Sequence, residues 1–344
     1  MSRPTIFDVA KVAGVSIKTV SRVVNNEPNV RASTRERVEN AIAVLKYRPD
    51  QSARNLASRR THLIGLVYDD PTAYEMPSGG YILELQQGTL KACRSALSEL
   101  LIHPCNFRKK NIGVELKTLI EDTRPAGIVL AAPLSNMKKI VRAIESTGTP
   151  LVRLSPGQSD DKQLSVSTND REICAEMTRY LAGLGHKRIA FIKGDPDHAA
   201  VANRFLGYQD GLKQSGLKFS ERLVATGDNS FGSGEECAEK LLMQKSPPTA
   251  IFAANDDMAA GVIRVANRLR ISVPESLSVA GFDDIPLARQ IEPALTTVQQ
   301  PLVRMAERAA SMLLEGNGTD NEATGAESVP ATMKIRESTG PAPN

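Results

Sequence analysis

From His62 onward, apolar runs of strand length alternate with longer stretches of helical period, and this alternation constrains the fold of the 344-residue chain more than any other feature. The runs fall at 63–68, 127–133, 150–155, 188–194, 250–255, 278–284 and 296–301, with helical stretches at 169–184, 202–215, 232–244 and 256–270. A strand covered on both faces reads as a nearly continuous apolar run, and a helix between two such strands lets them pair in parallel. The runs form two sets, which predicts an α/β core of two doubly wound lobes over 61–340. The expected first lobe covers about 61–161 and 291–325, the second about 162–290 and 326–340.

Ligands of doubly wound folds sit beyond the carboxyl ends of the strands. Those ends are polar here: Tyr68-Asp69-Asp70, Ser155, Gly194-Asp195, Asn255-Asp256-Asp257 and Asp283-Asp284, with Arg204 just beyond one of them. Carboxylates and a guanidinium offer planar, bidentate geometry to adjacent hydroxyls, so a cleft lined this way suits a polyhydroxylated ligand. Each acid has a plainer alternative, because Asp256 or Asp284 could simply cap the helix that follows.

The first sixty residues differ in kind. They hold 12 Lys and Arg against 5 Asp and Glu, whereas the rest of the chain holds 31 against 34. Positive charge concentrated in one small segment suits a polyanion-binding module. Thr5 and Asp8 have capping-box character, with Thr5 expected to accept from first-turn amides, and Ile6, Val9, Ala10 and Ala13 form one apolar helix face. Gly14 stops that helix and Ser16 caps a second one, with Val20 and Val23 or Val24 inward and Ile17, Lys18, Ser21 and Arg22 outward. A third helix is expected from a capping box at Ser33-Thr34-Arg35-Glu36, burying Val38, Ala41, Ile42 and Leu45. Two short helices around a glycine turn, braced by a third, make an all-α helix-turn-helix headpiece over 1–50, whose second helix fits a major groove. Arg22 and Lys18 can donate to guanine O6 and N7, while Thr5, Ser16, Thr19, Ser21 and Asn25 are candidate contacts to the DNA backbone. Taken alone, Lys18 and Arg22 could equally be a solvated basic face.

Thr5-Ile6-Phe7-Asp8-Val9-Ala10, Ala13-Gly14-Val15-Ser16, Thr19-Val20-Ser21-Arg22-Val23-Val24-Asn25, Thr34-Arg35-Glu36-Arg37-Val38 and Leu45-Lys46-Tyr47-Arg48-Pro49 together resemble the headpiece signature of the lactose-repressor (LacI/GalR) family. The resemblance implies a DNA-binding transcription regulator, acting as a repressor, with bases read by Ile17, Lys18 and Arg22. It also implies that 51–60 is a hinge that folds on operator DNA and wedges Leu56 into the minor groove, a known way of bending DNA. Leu184-Gly185-His186-Lys187-Arg188, Arg204-Phe205-Leu206-Gly207-Tyr208, Ala254-Asn255-Asp256 and Val279-Ala280-Gly281-Phe282-Asp283-Asp284 resemble the same family's effector-binding core, which is periplasmic-binding-protein-like. This implies effector contacts by Arg204, Asn255 and Asp283 and a carbohydrate as the small-molecule effector. Three positions depart from the pattern. Ser155 stands where some members have an acidic ligand. Asn229 occupies a position that is often aromatic, leaving Phe231 as the stacking candidate. Tyr81 is a further candidate for a cleft aromatic.

Neither HExxH, GxSxG nor GxxxxGK[ST] occurs, so no enzyme motif competes with this reading. The four cysteines lack metal-ligand spacing, and no cofactor is expected. Without a secretory signal or an apolar run long enough for a membrane, a cytoplasmic protein is expected, since a secreted sugar-binding protein would need a leader. No leucine heptad follows the core, and a homodimer on a pseudo-palindromic double-stranded operator is the expected assembly.

Overall fold

In the computed structural model, residues 4–24, 30–47, 62–70, 79–157, 163–315 and 325–343 are described. The chain divides into two units, Met1–Thr61 and His62–Asn344.

The first unit holds α1 (Ile6–Ala13), α2 (Ile17–Val24) and α3 (Ala32–Leu45). Val9, Ala10, Ala13, Val20, Val23, Val38 and Ala41 form its buried core, with Val24, Ile42 and Leu45 partly buried against it. Gly14 ends α1 at φ 64°, a left-handed conformation that glycine adopts without a steric penalty. The expected capping box on α3 is corrected: the helix begins at Ala32, and Thr34 and Arg35 donate their amides to the carbonyl of Arg31 at 2.9 and 3.0 Å. The helix begins two residues earlier than a cap at Ser33 would start it.

The second unit contains two six-stranded sheets of identical order. The first is built from β1 (Leu63–Asp69), β2 (Glu99–Cys105), β3 (Gly127–Leu130), β4 (Leu151–Leu154), β5 (Ser165–Ser167) and β11 (Ala326–Ser328), in the order β2-β1-β3-β4-β5-β11. The second is built from β6 (Ile189–Lys193), β7 (Val224–Thr226), β8 (Ala250–Ala253), β9 (Ser278–Asp283), β10 (Thr296–Gln299) and β12 (Thr332–Lys334), in the order β7-β6-β8-β9-β10-β12. All neighbours are parallel except β10 and β12. The central strands β3, β8 and β9 are buried at every residue, which explains their unbroken apolar character. Helices α4 (Gly80–Ser95), α5 (Ile112–Thr123), α6 (Lys138–Glu145) and α12 (Leu302–Glu315) serve the first sheet. Helices α7 (Asp170–Gly183), α8 (Ala199–Gln214), α9 (Phe231–Leu242), α10 (Asp256–Arg268) and α11 (Pro286–Gln290) serve the second.

The lobe boundaries differ from those expected. β5 pairs with β4 and β11, so the first crossing lies after Ser167 and not at 161–162. β10 pairs with β9, so the second crossing lies between Gln299 and Leu302 and not at 290–291. β11 belongs to the first lobe, which moves the third crossing past Ser328 from 325–326. β5 reads Ser-Val-Ser and β11 reads Ala-Glu-Ser, too short and polar to register as apolar runs. In both sheets the order reverses beside the first strand, between β1 and β3 and between β6 and β8. Crevices outside the carboxyl ends of such strands are where ligands bind.

Candidate functional site

Two surfaces stand out, one in each unit. In the first unit, Ser16 caps α2: its hydroxyl accepts the Thr19 amide at 3.2 Å and shares a 2.9 Å bond with the Thr19 hydroxyl. Val20 and Val23 face the core, which turns Ile17, Lys18, Ser21 and Arg22 to the opposite side. Ile17 is 41% exposed, although an aliphatic side chain gains by burial, and Lys18 is exposed beside it. Arg35 reaches across from α3 to donate to the Val23 carbonyl at 3.5 Å, closing the far end of α2. Thr5 forms the expected capping box with Asp8, its side chain taking the Asp8 amide while the Asp8 carboxylate takes the Thr5 amide. Its amide and its hydroxyl both donate to Asp8 Oδ2 at 2.8 Å, so the hydroxyl proton is unavailable to a phosphate in this arrangement. Asn25 and Leu56 lie outside the described residues.

In the second unit, Arg204 occupies the first turns of α8 and is 4% exposed. Its Nε donates to Asp170 at 2.9 Å and its Nη1 to the Ala254 carbonyl at 2.6 Å, while the guanidinium carbon stands 3.7 Å above the Phe282 ring. Nη1 also lies 3.6 Å from Asp283 Oδ1. Asp283 ends β9 at φ 116° and accepts from Gln300 Nε2 at 2.6 Å. Burial pushes the Asp283 carboxyl up to about 7, against the pull of Arg204 and the Gln300 bond. Tyr81, in the first turn of α4, joins this group from the other lobe. Burial, and then the charge of Asp283, raise its phenol well above the usual range. His198 precedes α8, and burial and the charge of Arg204 bring its imidazole down to about 4, so the ring is neutral near pH 7.

The lobes touch on both sides of this group. Arg108, beyond β2, bonds Asp195, beyond β6, at 2.5 Å, and Asn136 donates to the Asp197 carbonyl at 3.1 Å. Asn203 donates to the Gly157 carbonyl at 2.9 Å. At Gly80 a side chain would come within 2.7 Å of Pro286, so the start of α4 fits against the second lobe only without one.

Of the residues expected at the cleft, Arg204 and Asp283 are brought together and Tyr81 joins them. Asn255 caps α10, its Oδ1 accepting the Met258 amide at 3.0 Å while its Nδ2 donates to the Asn229 carbonyl at 2.8 Å. Asp256 and Asp284 do not cap the helices after them. Asp256 holds Thr297 and the Ile285 amide, and Asp284 holds Arg289, Gln299 and Arg336. Ser155 is buried at the end of β4 and makes no hydrogen bond to Arg204, Asn255 or Asp283. Phe231 is not brought to the group. It opens α9 with its ring 5.7 Å from the guanidinium of Arg264, a side chain that is 67% exposed. Asn229 lies closer, its carbonyl bonded to Asn255 and its side chain against Gly194.

Asp283 ionises near 3.8 when solvated and near 7 when folded, so between these values the folded protein carries a proton that the unfolded chain has lost. Stability then falls as pH rises through this window. The Asp283→Asn protein should show a flatter profile over pH 4 to 7 than the parent in urea titrations. Parallel profiles would mean that Asp283 ionises normally.

A helix-turn-helix unit followed by two doubly wound lobes with a polar cleft is the architecture of a ligand-controlled DNA-binding regulator. The chain belongs to the lacI family of bacterial regulatory proteins: that family's model matches residues 5–50, and a periplasmic binding protein-like domain matches 178–339. Catabolite control protein A of Priestia megaterium is 31% identical over 97% of this chain and 99% of its own length. Among solved structures, the lac repressor dimer bound to operator and the anti-inducer ONPF superposes with a TM-score of 0.77 at 25% identity, over 98% of this chain and 100% of that one. The complex of the regulator CelR with cellobiose gives a TM-score of 0.74 at 28% identity, over 98% and 100%. The relatives are transcription regulators, and no described helix is long and apolar enough to cross a membrane.

Proposed function

We propose that the protein is a cytoplasmic, non-catalytic repressor that binds a pseudo-palindromic operator as a homodimer and releases or tightens it in response to a sugar. The observation that carries the DNA half is α2, capped by Ser16, sealed by Val20 and Val23, and presenting Ile17, Lys18 and Arg22 together. A short helix of this kind enters a major groove, where Arg22 and Lys18 meet guanine edges and Ile17 meets a thymine methyl. Ser16, Thr19, Ser21 and Asn25 would hold the phosphates, and Leu56 would wedge the minor groove. The lac repressor, crystallised as a dimer on operator, supports the assembly. The cellobiose complex of CelR supports a sugar as effector, held by Arg204, Asp283 and Asn255 with Tyr81 and Ser155 on the side of the first lobe.

The test is a binding titration on a duplex selected by the protein from a random pool. Arg22→Ala should weaken binding to that duplex by about 1–3 kcal/mol and relax the choice of base at one position. Binding to random duplex should change far less. Equal losses on both would make Arg22 a phosphate contact and remove it from base reading.

A further inference from the structure

The two sheets share one strand order, so β1 and β6 hold equivalent places beside the two reversals. Each delivers an acid at its carboxyl end: Asp69 closes β1, and Asp195 stands just past β6. Arg108 lies between them. Its guanidinium bonds Asp195 Oδ2 at 2.5 Å and stands 4.5 Å above the Phe107 ring. Asp69 is fixed beside it, because Asp69 Oδ1 accepts the Phe107 amide at 3.0 Å. Burial pushes the Asp69 carboxyl up, the Phe107 bond and then Arg108 pull it down, and Asp70 and Asp195 push it up again. The acid of the first lobe thus feels both the cation and the acid of the second. Among the described ion pairs, Arg108–Asp195 is the one that crosses from lobe to lobe.

The loop that receives Arg108 is braced. Asp195 Oδ1 accepts the Asp197 amide at 2.9 Å, and the Asp195 carbonyl accepts the His198 amide at 3.0 Å. Asn136 of the first lobe holds the Asp197 carbonyl. Helix α8 begins at the next residue, Ala199, and carries Arg204. A pull on Asp195 is therefore a pull on the start of α8.

An ion pair whose arginine side chain is 55% exposed contributes little by itself. The like charge on its far side gives this one weight. With Arg108 in place, carboxylates from two lobes share one cation. Without it they face each other across a partly buried gap, where salt and water screen repulsion less than at an open surface. Loss of the cation therefore turns an attraction between the lobes into a repulsion.

We propose that Arg108 is an electrostatic clasp, which holds the two lobes together by standing between Asp69 and Asp195. This role is independent of which ligand enters the cleft, so its failure would leave the sugar-sensing reading standing.

The test is the distance between the lobes in the full chain, read by double electron–electron resonance at about pH 8 to keep carboxylates ionised. Spin labels are placed on Lys117→Cys of α5 and Lys213→Cys of α8. Both positions are exposed, and the four native cysteines are buried. Dilution with unlabelled protein makes pairs within one chain dominate. Arg108→Ala should lengthen the mean distance by more than about 2 Å, and Arg108→Glu should lengthen it further. Arg108→Lys should stay near the parent. Adding Asp195→Asn to Arg108→Ala should bring shorter distances back, because one of the facing charges is gone. Salt at about 1 M, which screens charges beyond ~3 Å, should also shorten the distance in Arg108→Ala. Lost packing alone would give neither recovery. Parental distances in both Arg108→Ala and Arg108→Glu overturn the proposal. So does a double variant that stays as open as Arg108→Ala.

Discussion

Arg204→Ala is expected to destabilise the second unit by about 3–5 kcal/mol, far beyond the effect of losing a surface cation. The guanidinium is buried, with Nε on Asp170 and Nη1 on the Ala254 carbonyl, and the Phe282 ring seals its face. Alanine would leave the Asp170 carboxylate buried without its partner and would open a cavity above Phe282. Urea titration followed by fluorescence or circular dichroism would measure the loss. The compensating variant Arg204→Met with Asp170→Leu removes both charges and keeps the volume, so it should recover most of the stability. It should not recover any response to ligand. If Arg204→Ala is as stable as the parent, the pair is not a structural element and Arg204 is held for the ligand alone.

The setting of Arg204 shows how far the sequence could be read. Arg204, Asn255 and Asp283 were legible because Asn255 and Asp283 close apolar runs that mark strands and Arg204 lies beyond another. Polar strand ends are where doubly wound folds keep ligands, and the family resemblance points to the same three. Asp170 was not legible. It follows β5, whose three residues Ser-Val-Ser carry no apolar signal, and the same weakness displaced the expected first crossing between lobes. Gln300 could have been found, since it lies inside the recognised run at 296–301. Phe231 was chosen for its ring chemistry, without helix phase in view. The first residue of α9 turns toward Arg264, and Asn229, two residues earlier, takes the place beside Asn255. In the headpiece the inward valines and the outward Ile17, Lys18 and Arg22 followed from helical spacing. The direction of the Thr5 hydroxyl did not, because a rotor that can donate or accept is settled by its neighbour Asp8.

The other large effect is expected from a residue that cannot touch a ligand. Gly207 lies one turn beyond Arg204 on α8, inside the Arg204-Phe205-Leu206-Gly207-Tyr208 motif. A Cβ there would stand 2.2 Å from the Arg171 carbonyl and 2.8 Å from the Cys174 side chain, both on α7. Gly211, one further turn along, would meet Thr178 at 2.5 Å. The two glycines therefore let α8 lie against the backbone of α7, and that approach carries Arg204 to Asp170 at the start of α7. Gly207→Val should force the helices apart, costing about 3 kcal/mol or more as overpacking in a dense core. It should also lengthen the Arg204–Asp170 contact and abolish the ligand response, although the substitution adds no polar group and removes none. Gly183→Ala is the control, because nothing lies within 4 Å of the added carbon and alanine favours the helix. Urea midpoints and operator titrations with and without sugar on the two variants would decide the matter. A Gly207→Val protein with parental stability and response would show that the helices separate without cost. The site would then owe nothing to their close approach.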